Sequence, residues 1–110
     1  MIYTKGLLKV TLLFESFRKK PIFGIYRPQV YIIDTKGYCT TLQLEVYKKE
    51  ILQGEQVVIP GVLEAPVGFG KQLRLGALLT IKDGLDEIGK AIVLEINGYA
   101  KEPGSQEQAG

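Results

Sequence analysis

The 110-residue chain contains no histidine and no tryptophan, and it has one cysteine and one methionine. Without histidine, the side chain that most often serves as a general base or metal ligand near neutral pH is missing. The single Cys39 excludes an intrachain disulfide, suits a reducing compartment and does not supply the ligand set of a zinc site. We therefore expect no enzyme, no metal site and no cofactor.

Long apolar runs are also absent. No run reaches the roughly 18–20 apolar residues that a membrane helix needs. The apolar segment Leu7–Phe14 is interrupted by Lys9 and has no small-residue cleavage pattern behind it, unlike a secretory signal. We therefore expect a cytoplasmic protein with no membrane partner.

Sequence signals for nucleotide binding and catalysis are missing as well. The chain has neither a Gly-x-x-x-x-Gly-Lys-Ser/Thr phosphate loop nor an Asn-Lys-x-Asp guanine-recognition motif. The adjacent carboxylates Asp86 and Glu87 follow a turn glycine, so we expect them to face solvent. We accordingly expect this chain to bind no nucleotide by itself.

What the chain does have is a repeated alternation of apolar and polar residues, which is typical of half-buried strands. The predicted strands are residues 8–15, 26–33, 38–47, 56–64, 72–82 and 88–96. Short strands separated by turn residues predict an all-β protein, a single six-stranded antiparallel closed β-barrel, because closure removes exposed sheet edges. Pro28 and Pro60 fall inside strands and should each mark an edge, a bulge or a first turn.

The chain is long enough for one domain. We assign residues 1–100 to the barrel and residues 101–110, which are polar and contain Pro, Gly, Ser and Gln, to a disordered tail. The net charge is only +2, but residues 1–36 carry seven basic and two acidic side chains. The basic excess therefore falls in the first third of the chain.

A short run in that basic third, Tyr26-Arg27-Pro28-Gln29, resembles a signature of the C-terminal β-barrel domain of the elongation factor Tu family of translation GTPases. Further segments are similar to family motifs and follow in family order. Residues 52–55 (Leu-Gln-Gly-Glu) are similar to its Met-Pro-Gly-Asp turn, and residues 80–84 (Thr-Ile-Lys-Asp-Gly) to its Ala-Ile-Arg-Glu-Gly run. The resemblance covers about residues 6–97, although residues 66–84 are longer than the equivalent hairpin of the family.

The resemblance implies a free-standing barrel that docks a protein partner, of the translation machinery or similar. In the family, the loop equivalent to Arg18, Lys19 and Lys20 contributes to contacts with the T-stem of aminoacyl-tRNA. Those three residues and Arg27 are therefore candidate contacts for RNA phosphates or for a partner, since basic side chains supply sequence-independent affinity for RNA. The alternative interpretation is that Arg18, Lys19 and Lys20 form a solvated loop that binds neither RNA nor a partner.

The family also implies an interface near the Tyr-Arg-Pro-Gln signature, where the barrel meets the GTPase domain. Tyr26 and Gln29, together with Tyr31, are candidate interface residues, and structural support of the barrel is the other interpretation. Two alternatives to the protein-docking module stay open. One is a tRNA- or RNA-binding domain, and the other is a split subunit of a larger translation GTPase.

Overall fold

Seven strands and one 3-10 segment account for most of residues 7–32, 38–64 and 66–100, which this computed structural model describes. The strands are β1 (Leu7–Ser16), β2 (Ile22–Tyr26), β3 (Gln29–Ile32), β4 (Cys39–Ile51), β5 (Gln56–Glu64), β6 (Leu78–Asp83) and β7 (Asp86–Ala100). The 3-10 segment spans Pro66–Gln72. The tail predicted for residues 101–110 lies outside the described residues.

The sheet closes into an antiparallel barrel with six strand positions, as predicted. The ring runs β4-β3-β6-β7-β1-β5 and returns to β4. β2 and β3 share one position because both pair with β4, in a single register from Gly24 to Tyr31, with Tyr26 opposite Leu44 and Val30 opposite Thr40. The register shifts between Ile22 and Gly24, so that Ile22 lies opposite Ile51. Pro28 lies between them, and its carbonyl accepts a hydrogen bond from the Leu42 N–H at 3.0 Å. The proline interrupts the strand without ending the ladder.

Pro60 determines where the ladder between β4 and β5 stops. The Ser16 N–H donates to the Glu55 carbonyl at 3.2 Å, and β1 and β5 stay in one unbroken register. Odd-numbered residues of β5 therefore face β1, and Pro60 faces β4. Because Pro60 has no N–H to donate, the β4–β5 pairing ends one residue earlier, at Leu44 opposite Gly61.

The core lies inside the ring and is built from the inward face of each strand. In β1 that face consists of Leu8, Val10, Leu12 and Phe14, each 1% exposed or less, as the alternation predicts. β4 contributes Leu42, Leu44 and Val46, and β6 contributes Leu79 and Ile81. Burial of each such side chain contributes about 1.5–3 kcal/mol, so the closed ring is the main source of stability.

The strand predicted over residues 72–82 is wrong in its first half, because β6 begins only at Leu78. The alternating leucines before it belong to the 3-10 segment and a turn: Leu73 joins the core, whereas Leu75 is 62% exposed. The turn is held by hydrogen bonds from the Gly76 N–H to the Val93 carbonyl at 2.7 Å and from the Ala77 N–H to the Arg74 carbonyl at 3.0 Å. The alternation of apolar and polar residues in this segment therefore occurs in a 3-10 segment and a turn, and it does not indicate a strand.

Gly89 provides a test of this packing. A Cβ atom at residue 89 would lie 2.7 Å from the carbonyl oxygen of Glu15 and 2.9 Å from the ring of Phe14. We expect Gly89→Ala to lower the free energy of unfolding by about 1–3 kcal/mol, because backbone and core must shift to accept the methyl group. Urea denaturation measures this.

The neighbouring Lys90→Ala is the matched control. Lys90 is exposed, and its ion pair with Glu15, at 3.8 Å, is of the surface kind that contributes about 0–1 kcal/mol. Equal losses in the two variants would contradict the close approach at Gly89.

Candidate binding site

The basic loop between β1 and β2 is organised by Arg18. Its Nη1 donates to the carbonyls of Pro21 at 2.9 Å and Lys20 at 3.3 Å, and its backbone N–H donates to Ser16 Oγ at 3.1 Å. Its guanidinium carbon lies 5.1 Å from the ring centre of Tyr26, a cation–π geometry. Arg18 is thus engaged within the chain.

Lys19 and Lys20 are exposed, but the groove that they line is also lined by three acidic residues. An open groove of ≈ 610 Å³ is lined by the basic loop and by the β6–β7 hairpin, which contributes Asp83, Asp86 and Glu87. Asp86 and Glu87 are exposed, as predicted. Because three acidic and three basic side chains share this groove, the field that a phosphate would meet there is much weaker than the loop sequence alone indicates.

Arg27 does not extend the basic loop. It forms an ion pair with Glu64 at the end of β5, with the two side chains 54% and 35% exposed. An exposed ion pair contributes about 0–1 kcal/mol, so Arg27 remains able to exchange partners. The structure therefore separates Arg27 from the three basic residues with which the sequence grouped it.

Tyr26 packs against the core while its ring supports Arg18. Its hydroxyl is buried and has no hydrogen-bond partner among the described residues. Burial raises the pKa of Tyr26 above its usual value; the charge of Arg18 lowers it in part, and Asp83 raises it further. These contacts favour the interpretation that Tyr26 supports the barrel over the interpretation that it is an interface residue.

Gln29 and Tyr31 lie on the outer side of β3, with Gln29 exposed and Tyr31 half-buried. The Nζ atom of Lys82 lies 5.2 Å from the ring centre of Tyr31. A hydrogen bond with the Cys39 thiol and partial desolvation raise the pKa of the Tyr31 hydroxyl. Lys82 covers one face of the ring, so a base that stacked on that face of Tyr31 would have to displace it.

Sequence reasoning missed a row of apolar side chains on the outer wall. Val58, Leu13, Ile92 and Leu78 are successive cross-strand partners on β5, β1, β7 and β6, and we call them the apolar row. Val58 is 65% exposed, Leu78 53% and Ile92 38%, while Leu13 is half-buried. The sequence carried one signal of the apolar row. In an alternating strand, an apolar residue such as Leu13 stands on the face whose other residues are polar.

A polar rim borders the apolar row on one side. Gln56 Nε2 donates to Glu15 Oε1 at 3.3 Å, and Lys90 Nζ lies 3.8 Å from the same carboxylate oxygen. The row crosses four strands, roughly 14 Å at about 4.8 Å per strand. An apolar centre with a hydrogen-bonded polar border is the usual anatomy of a protein–protein interface.

No group of three His, Cys, Asp or Glu side chains that could hold a metal ion occurs in the part of the chain that the structure describes. Within residues 7–32, 38–64 and 66–100, no helix is long and apolar enough to cross a membrane. A comparison with models of known protein families finds none that matches this chain, and a comparison with curated proteins finds no match.

The unpartnered hydroxyl of Tyr26 yields a stability prediction. Tyr26→Phe should raise the free energy of unfolding by about 1 kcal/mol, because a buried donor without a partner is removed while the ring stays in place. The raised pKa adds a pH dependence. The stability that the raised pKa of Tyr26 contributes is fully present at pH values below the ordinary tyrosine pKa of about 10. It is lost as the pH rises through the pKa of Tyr26 in the folded state.

Urea denaturation between pH 7 and pH 11 measures both effects. The wild-type protein should lose stability more steeply than Tyr26→Phe at the alkaline end. A Phe variant that is clearly less stable than the wild type would show that the hydroxyl has a partner.

Proposed function

We propose that this barrel is a non-catalytic module of the cytoplasm that docks a protein partner through the apolar row. The observation that carries the proposal is the alignment of Val58, Leu13, Ile92 and Leu78 across four neighbouring strands on the outside of a closed barrel. Contiguous exposed apolar side chains with a polar border mark interaction sites on soluble proteins.

The energetics of the row support docking. Fully covering one such aliphatic side chain contributes about 1.5–3 kcal/mol, so covering the exposed parts of the row would supply several kcal/mol toward binding. Two more exposed leucines enlarge this surface. Leu94 on β7 is 40% exposed, and Leu75, in the turn before β6, is 62% exposed. The closed ring already buries the inward faces, so the row adds nothing to the barrel's own core.

The resemblance to the elongation factor Tu family supports a partner from the translation machinery. If this chain is a split subunit of a larger GTPase, its partner would be a separate GTPase chain that lacks the barrel. Native mass spectrometry of the tagged chain from its host distinguishes that alternative. Finding no GTPase bound would reject it while leaving other protein partners open.

Ile92→Lys and Leu78→Lys test the docking surface. Each places a charge in the apolar row, and each should reduce the amount of co-purified partner at least about tenfold, because an unpaired charge would be desolvated in the interface. Quantitative mass spectrometry of proteins captured on the tagged chain provides the readout. Circular dichroism verifies that both variants fold.

Leu85→Lys is the control, since Leu85 is 96% exposed at the tip of the β6–β7 hairpin, outside the row. If Leu85→Lys reduces capture as much as the row variants, or if the row variants retain full capture, the docking surface is elsewhere.

RNA binding is the second candidate, and one observation favours it. Lys19 and Lys20 are exposed and form no ion pair within the described ranges. If RNA binds, transfer RNA should shift in a mobility assay at low salt, and Lys19→Ala with Lys20→Ala should weaken the shift and flatten its salt dependence. No shift at low salt rejects RNA binding.

A further inference from the structure

β4 and β5 part beyond the three residue pairs that close the barrel. Their ladder ends with Leu44 opposite Gly61, although β4 continues to Ile51. An open groove of ≈ 500 Å³ lies beyond this point, and it is lined by residues between 45 and 51 of β4 and between 57 and 60 of β5. The wall of the barrel is therefore open between these two strands.

Backbone groups of both strands face this groove. The Leu42 N–H bonds to the Pro28 carbonyl, and this register of β4 is unbroken over residues 24–31 of β2 and β3, so Glu45 directs its N–H and C=O toward β5. β5 pairs with β1 in one register through its odd-numbered residues, so Val58 directs its own groups toward β4. Neither residue belongs to the β4–β5 ladder, and no turn or loop hydrogen bond reaches either one in the part of the chain that the structure describes.

The lining of the groove is largely apolar. Val46, Ile51 and Ile59 line it and are buried members of the barrel core. Tyr47 and Val58 line it as well, and they are 56% and 65% exposed. Open strand edges beside an apolar pocket fit an extended segment, because such a segment pairs its backbone with an edge and places alternate side chains in the pocket.

The charges of the lining indicate what the segment must carry. Lys49 forms an ion pair with Glu55 at 3.5 Å, and Glu45 accepts a hydrogen bond from Gln43 Nε2 at 3.1 Å. Lys48 also lines the groove, is exposed, and forms no ion pair within the described ranges. Its complement is a carboxylate, which an ammonium group binds through charge-assisted hydrogen bonds.

We propose that the groove binds an extended segment of a protein partner, which pairs with the open edge of β4 and carries an acidic residue beside Lys48. The edge of β5 is the weaker one, because Pro60 has no N–H to donate. Lysine and proline are residues with which proteins protect open edges, so Lys48 and Pro60 restrict entry to a matching segment. The inference rests on the proposed function, since Val58 belongs to both the groove and the apolar row and one partner would cover both.

Nuclear magnetic resonance of the isotope-labelled full chain, titrated with the capped pentapeptide Thr-Val-Glu-Val-Thr, tests this pairing. The amide signal of Glu45 should shift, and its proton should exchange with water more slowly, because the bound peptide supplies a hydrogen-bond acceptor. The peptide Thr-Val-Lys-Val-Thr should bind at least about tenfold more weakly, because its charge has the same sign as that of Lys48. No shift at about 1 mM of the first peptide, or equal binding of the two peptides, overturns the proposal.

Lys48→Glu should reverse the preference, so that the lysine peptide binds more tightly than the glutamate peptide. Lys71→Glu is the matched control, because it makes the same charge change at an exposed lysine that does not line the groove. It should bind both peptides like the wild type, and circular dichroism verifies that both variants fold. A control that reverses the preference as Lys48→Glu does would assign the effect to net charge and overturn the site.

Two further comparisons separate the possible outcomes. The glutamate peptide with N-methylated amides should not bind, because it has no N–H groups to donate to the strand edge, and equal binding would overturn strand pairing. If Ile92→Lys loses the captured partner while the peptide does not bind, docking on the apolar row stands and the segment in the groove is rejected. If the peptide binds while the row variants keep full capture, the groove stands and the apolar row is rejected.

Discussion

The whole structure depends on three residue pairs that close the sheet between β4 and β5: Leu42 with Leu63, Gln43 with Val62, and Leu44 with Gly61. Without them the sheet would have two long free edges and the inward faces would not be sealed. Core packing and closure meet at Gly61, where a Cβ atom would lie 3.0 Å from the Leu42 side chain. Pro60 then ends the β4–β5 ladder, because it has no N–H to donate to β4.

Closure of the ring also determines which side chains and strand edges remain on the outside of the barrel. Unequal strands share one ring: β7 has 15 residues and β4 has 13, whereas β6 has 6. β5, β1, β7 and β6 each carry an apolar side chain at the same level of the outer wall, and the cross-strand register aligns these side chains as the apolar row. Among the described residues, the short β6 leaves β2 paired with β4 only. Cross-strand register around the closed sheet therefore aligns the apolar row.

The two arginines among the candidate basic residues are already engaged within the chain. Arg18 is held by two backbone carbonyls and an aromatic ring, and Arg27 is paired with Glu64. The carboxylates that share the groove with Lys19 and Lys20 come from a hairpin more than sixty residues later in the chain. The outer wall, with its apolar row, is accordingly the better candidate surface for a protein partner.

Residue spacing by itself determined the all-β class and the inward faces of β1 and β4, because these depend on side-chain alternation. It failed at residues 72–77, where alternation came from a 3-10 segment and a turn. Only the tertiary structure decided that Val58, Leu13, Ile92 and Leu78 align and that, among the described residues, β2 pairs with β4 alone. Both depend on register and strand length around the ring, which long-range pairing sets and spacing along the chain does not encode.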